Sequence, residues 1–362
     1  MVEQLGLIGC GLMGGSFALA LKKAGAVKRV VGFSASARTT QRALQLGVID
    51  VAASSAAQAA QGSDLVLVAV PVAATEATLR AIAPELLATT LVMDVGSTKC
   101  DVIAAAMATL GDKLSCFVPA HPIAGKEVAG IDHADARLYQ DRRTILTPLS
   151  SNSMRHTKLA HDIWSALGSH VNTMTAADHD QTFAAVSHLP HLLAFAAVHA
   201  LTTHPQGADY LDMAGPGFRD FSRIAASDPA VWRDILCANR TEVLAQLAHF
   251  RASLAQFEAA MQMCGGAQWK SYAMTNASGY NLTMFRLIGN ELQQPYVETK
   301  GPVLLIGGIY SDGGDWIKCI NPIYKSLAVQ LAEAGHDVWI SQDRGQPGSD
   351  THNALSLLDP IQ

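Results

Sequence analysis

The sequence predicts an α/β protein in three parts: a doubly wound parallel sheet over residues 1–174, an all-helical domain over 175–263, and an incomplete second α/β unit over 264–362. Three observations predict it. Short apolar runs alternate with helical patterns from Leu5 to Met174, and that alternation requires crossover connections and a parallel sheet covered on both faces. From Asp178 to Met261 the strand-like runs stop, and helix formers recur at helical spacing. Past Met263, Gly265-Gly266 and short apolar runs return. A length of 362 residues suits two or three domains.

Taken in order, Leu5-Gly6-Leu7-Ile8 reads as a strand that passes through glycines into a helix carrying Phe17, Leu19, Ala20 and Leu21, with Lys22 and Lys23 at its end. Val27 to Phe33 is the second strand and Arg38 to Leu46 a helix. The alanine-rich Ala52 to Ala60 reads as the end of a short strand and a loop. Asp64 to Val70 is a strand, Glu76 to Leu87 a helix, and Thr90 to Asp94 the fifth strand. Strands near Phe117 and at Thr144 to Leu146 extend the pattern, and Val171 to Met174 ends it. The helical part breaks at Pro205 to Gly207 and at Gly215-Pro216-Gly217. Its run Leu192 to Val198 is more apolar than one small domain needs, which points to burial against a second subunit. In the last part Tyr280 to Leu287, Pro302 to Ile306 and Val338 to Ile340 read as strands, and Ile323 to Ala334 as a helix.

Composition narrows the function. With 26 Lys+Arg against 31 Asp+Glu, the net charge of −5 supplies no global positive field for nucleic acid or anionic lipid. A chain 49% hydrophobic and 16% charged implies a large core or an extensive subunit interface rather than disorder. Its 6 cysteines show neither Cys-x-x-Cys pairing nor zinc spacing, and read as free thiols in a reducing compartment. No apolar run reaches the roughly 18 residues of a membrane span, and no basic segment precedes an apolar one at the start, so a cytoplasmic location is expected. Leu7-Ile8-Gly9-Cys10 imitates a lipoprotein cleavage site, but with only 6 residues before it and no basic start, lipidation there is not expected.

The motif Gly9-x-Gly11-x-x-Gly14 sits between a strand and a helix, the context a dinucleotide-binding fingerprint requires. Gly9 permits the tight turn, Gly11 lets backbone approach a pyrophosphate, and Gly14 lets helix and strand pack closely. This is a Rossmann-type domain. At the end of the second strand the usual ribose-binding carboxylate is missing, and Ser34, Ser36 and Arg38 stand there instead, which favours NADP over NAD. Ser36 is equally a plausible helix cap. Ser97 and Thr98 follow the fifth strand, on the edge where ligands collect, or simply cap the next helix. His121, before Pro122 in a glycine-containing loop, is a candidate acid or base, against a structural role for a lone histidine. His188 and His191 are three apart, but no third metal ligand is evident and no metal is expected. Arg219 and Arg223 offer forks to a carboxylate, with Asp220 to fix a guanidinium; the alternative is a solvated charge cluster.

Together and in order, GCGLMGGS at 9–16, DVGSTK at 94–99, HPIAGKE at 121–127, HDQTFAAVSHLPH at 179–191, GFRDFSRIAASDP at 217–229 and Trp232-Arg233-Asp234 resemble the prephenate and arogenate dehydrogenase family over residues 3 to about 262. The resemblance implies oxidative decarboxylation of prephenate to 4-hydroxyphenylpyruvate, or of arogenate to tyrosine, with hydride passing to NAD(P)+. It implies His121 as acceptor of the ring hydroxyl's hydrogen bond and Ser97 as its orienting neighbour. It implies Arg223 as carboxylate-binding arginine, His191 as a second polar contact, Asp220 in support, and Trp232 arriving from the partner subunit of a homodimer. A β-hydroxyacid dehydrogenase is the rival within the class, but that rival expects a catalytic lysine on a long helix.

From about residue 272 the chain resembles the opening of an acid lipase, an α/β-hydrolase, through Gly279 to Arg286, Gly301 to Gly308, Gly335 to Trp339 and Asp343-Arg344-Gly345. The Gly-x-Ser-x-Gly of such an enzyme occurs nowhere in the chain, and Ile306-Gly307 replaces the expected His-Gly. The segment is expected to be non-catalytic. A lipid- or ester-binding module with an inactive nucleotide-binding front is the rival from another class.

Overall fold

The computed structural model describes residues 2–126, 128–263, 268–275, 281–288, 302–307 and 337–342. The chain divides into two compact units, Met1–Leu247 and Ala248–Gln362.

The first unit opens with β1 (Val2–Ile8), α1 (Leu12–Lys23), β2 (Val27–Phe33), α2 (Ala37–Gln45), β3 (Val51–Ala52), α3 (Ala56–Ala60), β4 (Leu65–Val68), α4 (Thr75–Ile82), β5 (Leu91–Asp94) and α5 (Cys100–Thr109). Its five strands form one parallel sheet in the order β3-β2-β1-β4-β5. The chain winds outward from β1 to β3, then returns to place β4 on the other side of β1. The carboxyl ends of β1 and β4 therefore flank the crevice where a doubly wound sheet takes its ligand. Strand side chains alternate between two cores, as the period of two requires. Leu65 and Leu67 of β4 join Phe17, Tyr139 and Trp164 on one face, while Val66 and Val68 join Leu79, Ile82 and Phe117 on the other. Trp164 meets Phe17 and Tyr139 edge-on, with ring centroids 5.0 and 5.1 Å apart. Full burial of each such side chain contributes about 2–3 kcal/mol.

Two expectations fail here. Ala56–Ala60, read as loop, is helical: Ser55 accepts the Gln58 N–H as its cap, and alanine loses no side-chain entropy in a helix. This short helix lies tight under β1, where a Cβ on Gly6 would stand 2.4 Å from the Ala59 oxygen. The strands near Phe117 and Thr144 do not extend the parallel sheet either. Phe117 makes only an isolated bridge to Val92. Pro119 and Pro122 lack the N–H a continuing ladder needs, and the chain moves into a separate sheet of β6 (Ala120–Pro122), β7 (Arg143–Leu146) and β8 (His170–Thr173). There β6 is antiparallel to β7, setting His121 opposite Ile145. The helix α6 (Met154–Ala166) joins β7 to β8.

The helices that follow are α7 (Ala176–Phe183), α8 (Leu189–Thr202), α9 (Gly207–Asp212), α10 (Pro216–Ser222), α11 (Pro229–Ala238) and α12 (Arg240–Met263). Between α7 and α8 the helix does not stop but widens into a π segment, Ala184–His188. The wider turn admits Pro190, whose missing N–H would otherwise break the ladder. The continuous Ala176–Thr202 stretch is, by length and composition, long and apolar enough to cross a membrane, which reading the sequence for unbroken apolar runs did not register. Met213 (80% exposed) and the exposed Phe221, Val231 and Leu244 leave further apolar surface uncovered in this part of the chain.

In the second unit β9 (Gln268–Thr275) and β10 (Asn281–Ile288) form an antiparallel pair, β12 (Asp337–Gln342) lies antiparallel to β10, and β11 (Pro302–Gly307) lies parallel to β12. The order is β11-β12-β10-β9. Three of these strands match the sequence expectations, and β9 was not foreseen. The helix expected at Ile323 to Ala334 lies outside the described residues.

Candidate active site

Of the sequence-predicted site residues, Gly9, Gly11 and Gly14 follow β1 and Ser97 follows β5, both on the carboxyl edge of the five-stranded sheet. After β1, Gly9 adopts φ +99°, and a Cβ there would fall 2.2 Å from the Ala69 carbonyl oxygen. A Cβ on Gly14 would meet the Gly9 oxygen at 2.1 Å, whereas one on Gly11 would meet nothing within 4 Å. Gly9 and Gly14 thus serve packing, and Gly11 faces open space. No side chain caps α1 and its first turn holds no acidic residue, so its free N–H groups and dipole suit a pyrophosphate. The turn fits a dinucleotide. Ser34 Oγ accepts the Cys10 N–H at 2.8 Å and ties the turn to the end of β2. Ser36 caps α2 through the Thr39 N–H, and Arg38 is exposed. The two serine hydroxyls thus hold backbone, which leaves Arg38 as the charged group at this position.

After β5, charge rather than its absence shapes the turn. Asp94 Oδ2 accepts the Gly96 N–H and the Lys99 ammonium, and Asp94 Oδ1 accepts the Ala120 N–H at 3.0 Å. Lys99 Nζ also donates to the Ala120 oxygen at 2.9 Å, and its side chain is fully buried. This pair pins β6 to the end of β5 and so delivers His121, the next residue, to the ligand edge of the sheet. Neither Ser97 nor Thr98 caps α5. The cap comes from another element: Asp180 of α7 accepts the Lys99 N–H at 2.8 Å and the Cys100 N–H at 2.9 Å.

From Asp180 a chain of hydrogen bonds runs to His121. Asp180 Oδ1 and His179 Nδ1 are 2.8 Å apart, and His179 Nε2 lies 2.8 Å from His121 Nδ1. Phe183 packs edge-on to His121 at 4.8 Å. Asn239 Nδ2 donates to the Asp180 carbonyl at 2.7 Å and to His188 Nδ1 at 3.1 Å. Burial holds His121 well below its ordinary pKa, and neighbouring His179, Lys99 and His188 add to the effect. Burial likewise lowers His179, against the Asp180 carboxylate, and pushes His188 down to about 4. All three imidazoles are neutral at pH 7. His121 Nε2 makes no hydrogen bond to any described residue, and the ring is half-buried, so it can accept one from a ligand.

His191 lies in the first turn of α8, and its Nδ1 donates to the Ser187 oxygen at 2.9 Å, which leaves Nε2 as an acceptor. Its ring stacks on Trp232 of the same chain with centroids 3.5 Å apart, where the resemblance implied delivery of Trp232 from a second subunit. The α11 helix, started by the Asp228 cap and Pro229, carries Trp232 back onto α8. Burial lowers the His191 pKa, and the Arg223 charge adds to it, so Arg223 stands near His191. Asp220, on α10, is exposed. No group of three or more metal-ligating side chains occurs among the described residues.

The sequence reading missed Asp94, Lys99, His179, Asp180 and Asn239 as site residues. The one local signal was His179-Asp180 placed near the start of a helix.

The family model described as prephenate dehydrogenase, nucleotide-binding domain, matches residues 17–173, and that described as prephenate dehydrogenase, dimerization domain, matches residues 175–272. A cyclohexadienyl dehydrogenase of Zymomonas mobilis is 34% identical over 263 residues, 72% of this chain and 88% of the relative. A prephenate dehydrogenase of Bacillus subtilis is 36% identical over 67% of this chain and 66% of the relative. The crystal structure of prephenate dehydrogenase from A. aeolicus in complex with hydroxyphenyl propionate and NAD+ superimposes with a TM-score of 0.68 at 34% identity, covering 72% of this chain and 91% of that one. A putative lysosomal acid lipase of Crotalus adamanteus is 34% identical over 83 residues, 23% of this chain and 20% of the relative. That partial match covers a minor region and does not establish an α/β-hydrolase fold there.

Proposed function

The chain belongs to the prephenate dehydrogenase family, and on that premise we propose that it carries out the NAD(P)-dependent oxidative decarboxylation of prephenate, or of arogenate, in tyrosine biosynthesis. The observation that carries this reading is His121: neutral, with an unengaged Nε2, delivered by the Asp94–Lys99 pair to the edge of a dinucleotide-binding sheet. NAD(P)+ held by the glycine turn after β1 would supply the hydride acceptor for the ring carbon that bears the hydroxyl.

His121 Nε2 accepts the hydroxyl's hydrogen bond and draws off its proton as carbonyl character develops. Ser97 orients that hydroxyl from the β5 turn. Loss of carbon dioxide from the opposite ring carbon leaves an aromatic phenol, which drives the step. Arg223 grips the side-chain carboxylate, with the His191 Nε2 acceptor beside it and Asp220 in support. The ring carboxylate that must leave is better left without a cation, because a contact that stabilises it in the ground state slows its departure. Trp232, stacked on His191, closes that end of the site. Arg38 and the missing carboxylate after Phe33 favour NADP over NAD. The apolar surface around Met213 and Phe221 is covered by a second copy in a homodimer. Residues 1–174 bind the dinucleotide and 175–263 supply substrate contacts and the dimer face, while 264–362 take no part in the reaction.

Absorbance at 340 nm with prephenate or arogenate and either cofactor tests the proposal. His121→Asn should lower kcat by about 10²–10⁴-fold, and a form ending at Met261 should keep wild-type activity. Because His121 is depressed below the usual imidazole range, its base form persists below pH 6.5, so kcat/KM should stay level through pH 6.5 and fall only in more acidic buffer as His121 protonates. Wild-type protein inactive on both substrates would sink the reading.

A further inference from the structure

Asp180 is more than a helix cap. Its carboxylate is held by the N–H groups of Lys99 and Cys100 and its backbone carbonyl by Asn239, so its position is set before any ligand arrives. The atom that accepts the Lys99 N–H, Oδ1, is also the one that faces His179 Nδ1.

An ionised carboxylate only accepts hydrogen bonds, so the proton between Asp180 and His179 sits on His179 Nδ1. A neutral His179 then presents a lone pair at Nε2, and the proton of the next contact must sit on His121 Nδ1. A neutral His121 has its own lone pair at Nε2. The opposite tautomer of either ring would set two lone pairs, or two N–H groups, against each other across 2.8 Å.

We propose that Asp180, acting through His179, is a positioning pair that fixes His121 in the tautomer with Nδ1 protonated and the Nε2 lone pair free for the substrate hydroxyl. This rests on the dehydrogenase reading only for the identity of the hydroxyl; the tautomer itself stands on the chain of contacts. Burial opposes ionisation of Asp180, yet the hydrogen bonds from His179 and from the Cys100 and Lys99 N–H groups outweigh it and hold its carboxyl below the ordinary range. The charged and titratable groups packed around His121 are His179 and Asp180 of α7, His188 of the π segment, and Lys99 and Asp94 of the β5 turn. Of these, His179 alone touches a His121 ring nitrogen. Phe183, against both imidazoles at 4.8 and 4.5 Å, limits ring rotation and keeps the contact aligned.

Two-bond ¹H–¹⁵N spectra of the full chain labelled with ¹⁵N-histidine, recorded at pH 8 and assigned with His121→Asn, read the tautomer directly. The expected result is His121 protonated at Nδ1. His179→Phe, which removes the acceptor, should move His121 toward the Nε2-protonated form and lower kcat by about 10²-fold or more, with KM changed less than about threefold. His179→Gln, whose amide oxygen can accept the same bond, should restore most of kcat. A wild-type His121 protonated at Nε2 would overturn the proposal, as would a folded His179→Phe with unchanged tautomer and kcat. Should His179→Phe not fold, the wild-type spectrum and the Gln variant still decide it. Wild-type protein inactive on prephenate and arogenate would instead count against the proposed reaction and leave the tautomer result standing.

Discussion

The turn after β1 is shaped by missing side chains, and the turn after β5 by charged ones, though both lie on the same edge of one sheet. At the first, Gly9 and Gly14 let strand, helix and the Ala69 backbone approach to distances that no Cβ tolerates. At the second, Asp94, Lys99 and Asp180 are buried, and their charged groups are paired with one another or with backbone groups of the turn, of β6 and of α5. The difference follows from what each turn must hold. An anion is recognised by backbone N–H groups brought close, which is a matter of steric clearance. A neutral histidine base needs a dry site, and a dry site forces its charged neighbours into pairs.

If that contrast is right, the second turn should be the more costly to disturb. Lys99→Met leaves the Asp94 carboxylate buried without its cation, and urea unfolding should show a loss of about 3–5 kcal/mol. Adding Asp94→Asn to that variant should recover a good part of the loss. A neutral effect of Lys99→Met would mean that the ion pair does not set the turn. At the first turn, Gly9→Ala should cost about 2–3 kcal/mol, through its positive φ and the clash with Ala69. Gly11→Ala should change stability by less than about 1 kcal/mol yet weaken NAD(P) binding, read by quenching of intrinsic fluorescence. Equal stability losses at Gly9 and Gly11 would erase the distinction between packing and binding glycines. The smallest effect belongs to Ser36→Ala, which removes the α2 cap and should cost about 1 kcal/mol by thermal unfolding.

The same contrast explains what could be read in advance. The glycine turn was legible because its determinants lie within a few residues and serve a local geometry. The strands β1, β2, β4 and β5 were legible because burial on both faces demands unbroken apolar runs. The α3 helix was missed because five alanine-rich residues carry no apolar periodicity, and its helicity comes from a cap and from packing under β1. His121 was singled out for its loop, but Lys99 looked like the end of a motif and Asp180 like one more acid on a helix. Asp180 lies 80 residues from the N–H of Cys100 that it caps. Nothing local in either segment announces that contact.

Composition and local pattern settle the parallel sheet, its glycine turn and the helical character of residues 176–263, because those features depend on periodicity, steric clearance and propensity over short spans. Folding settles the chemistry. The contact of His179 with His121, the Lys99 ammonium against Asp94, and the stacking of Trp232 on His191 join residues 58, 5 and 41 positions apart. Each joins groups whose partners are chosen by burial, since a polar group taken out of water must find whichever donor or acceptor the packed chain brings within about 3 Å.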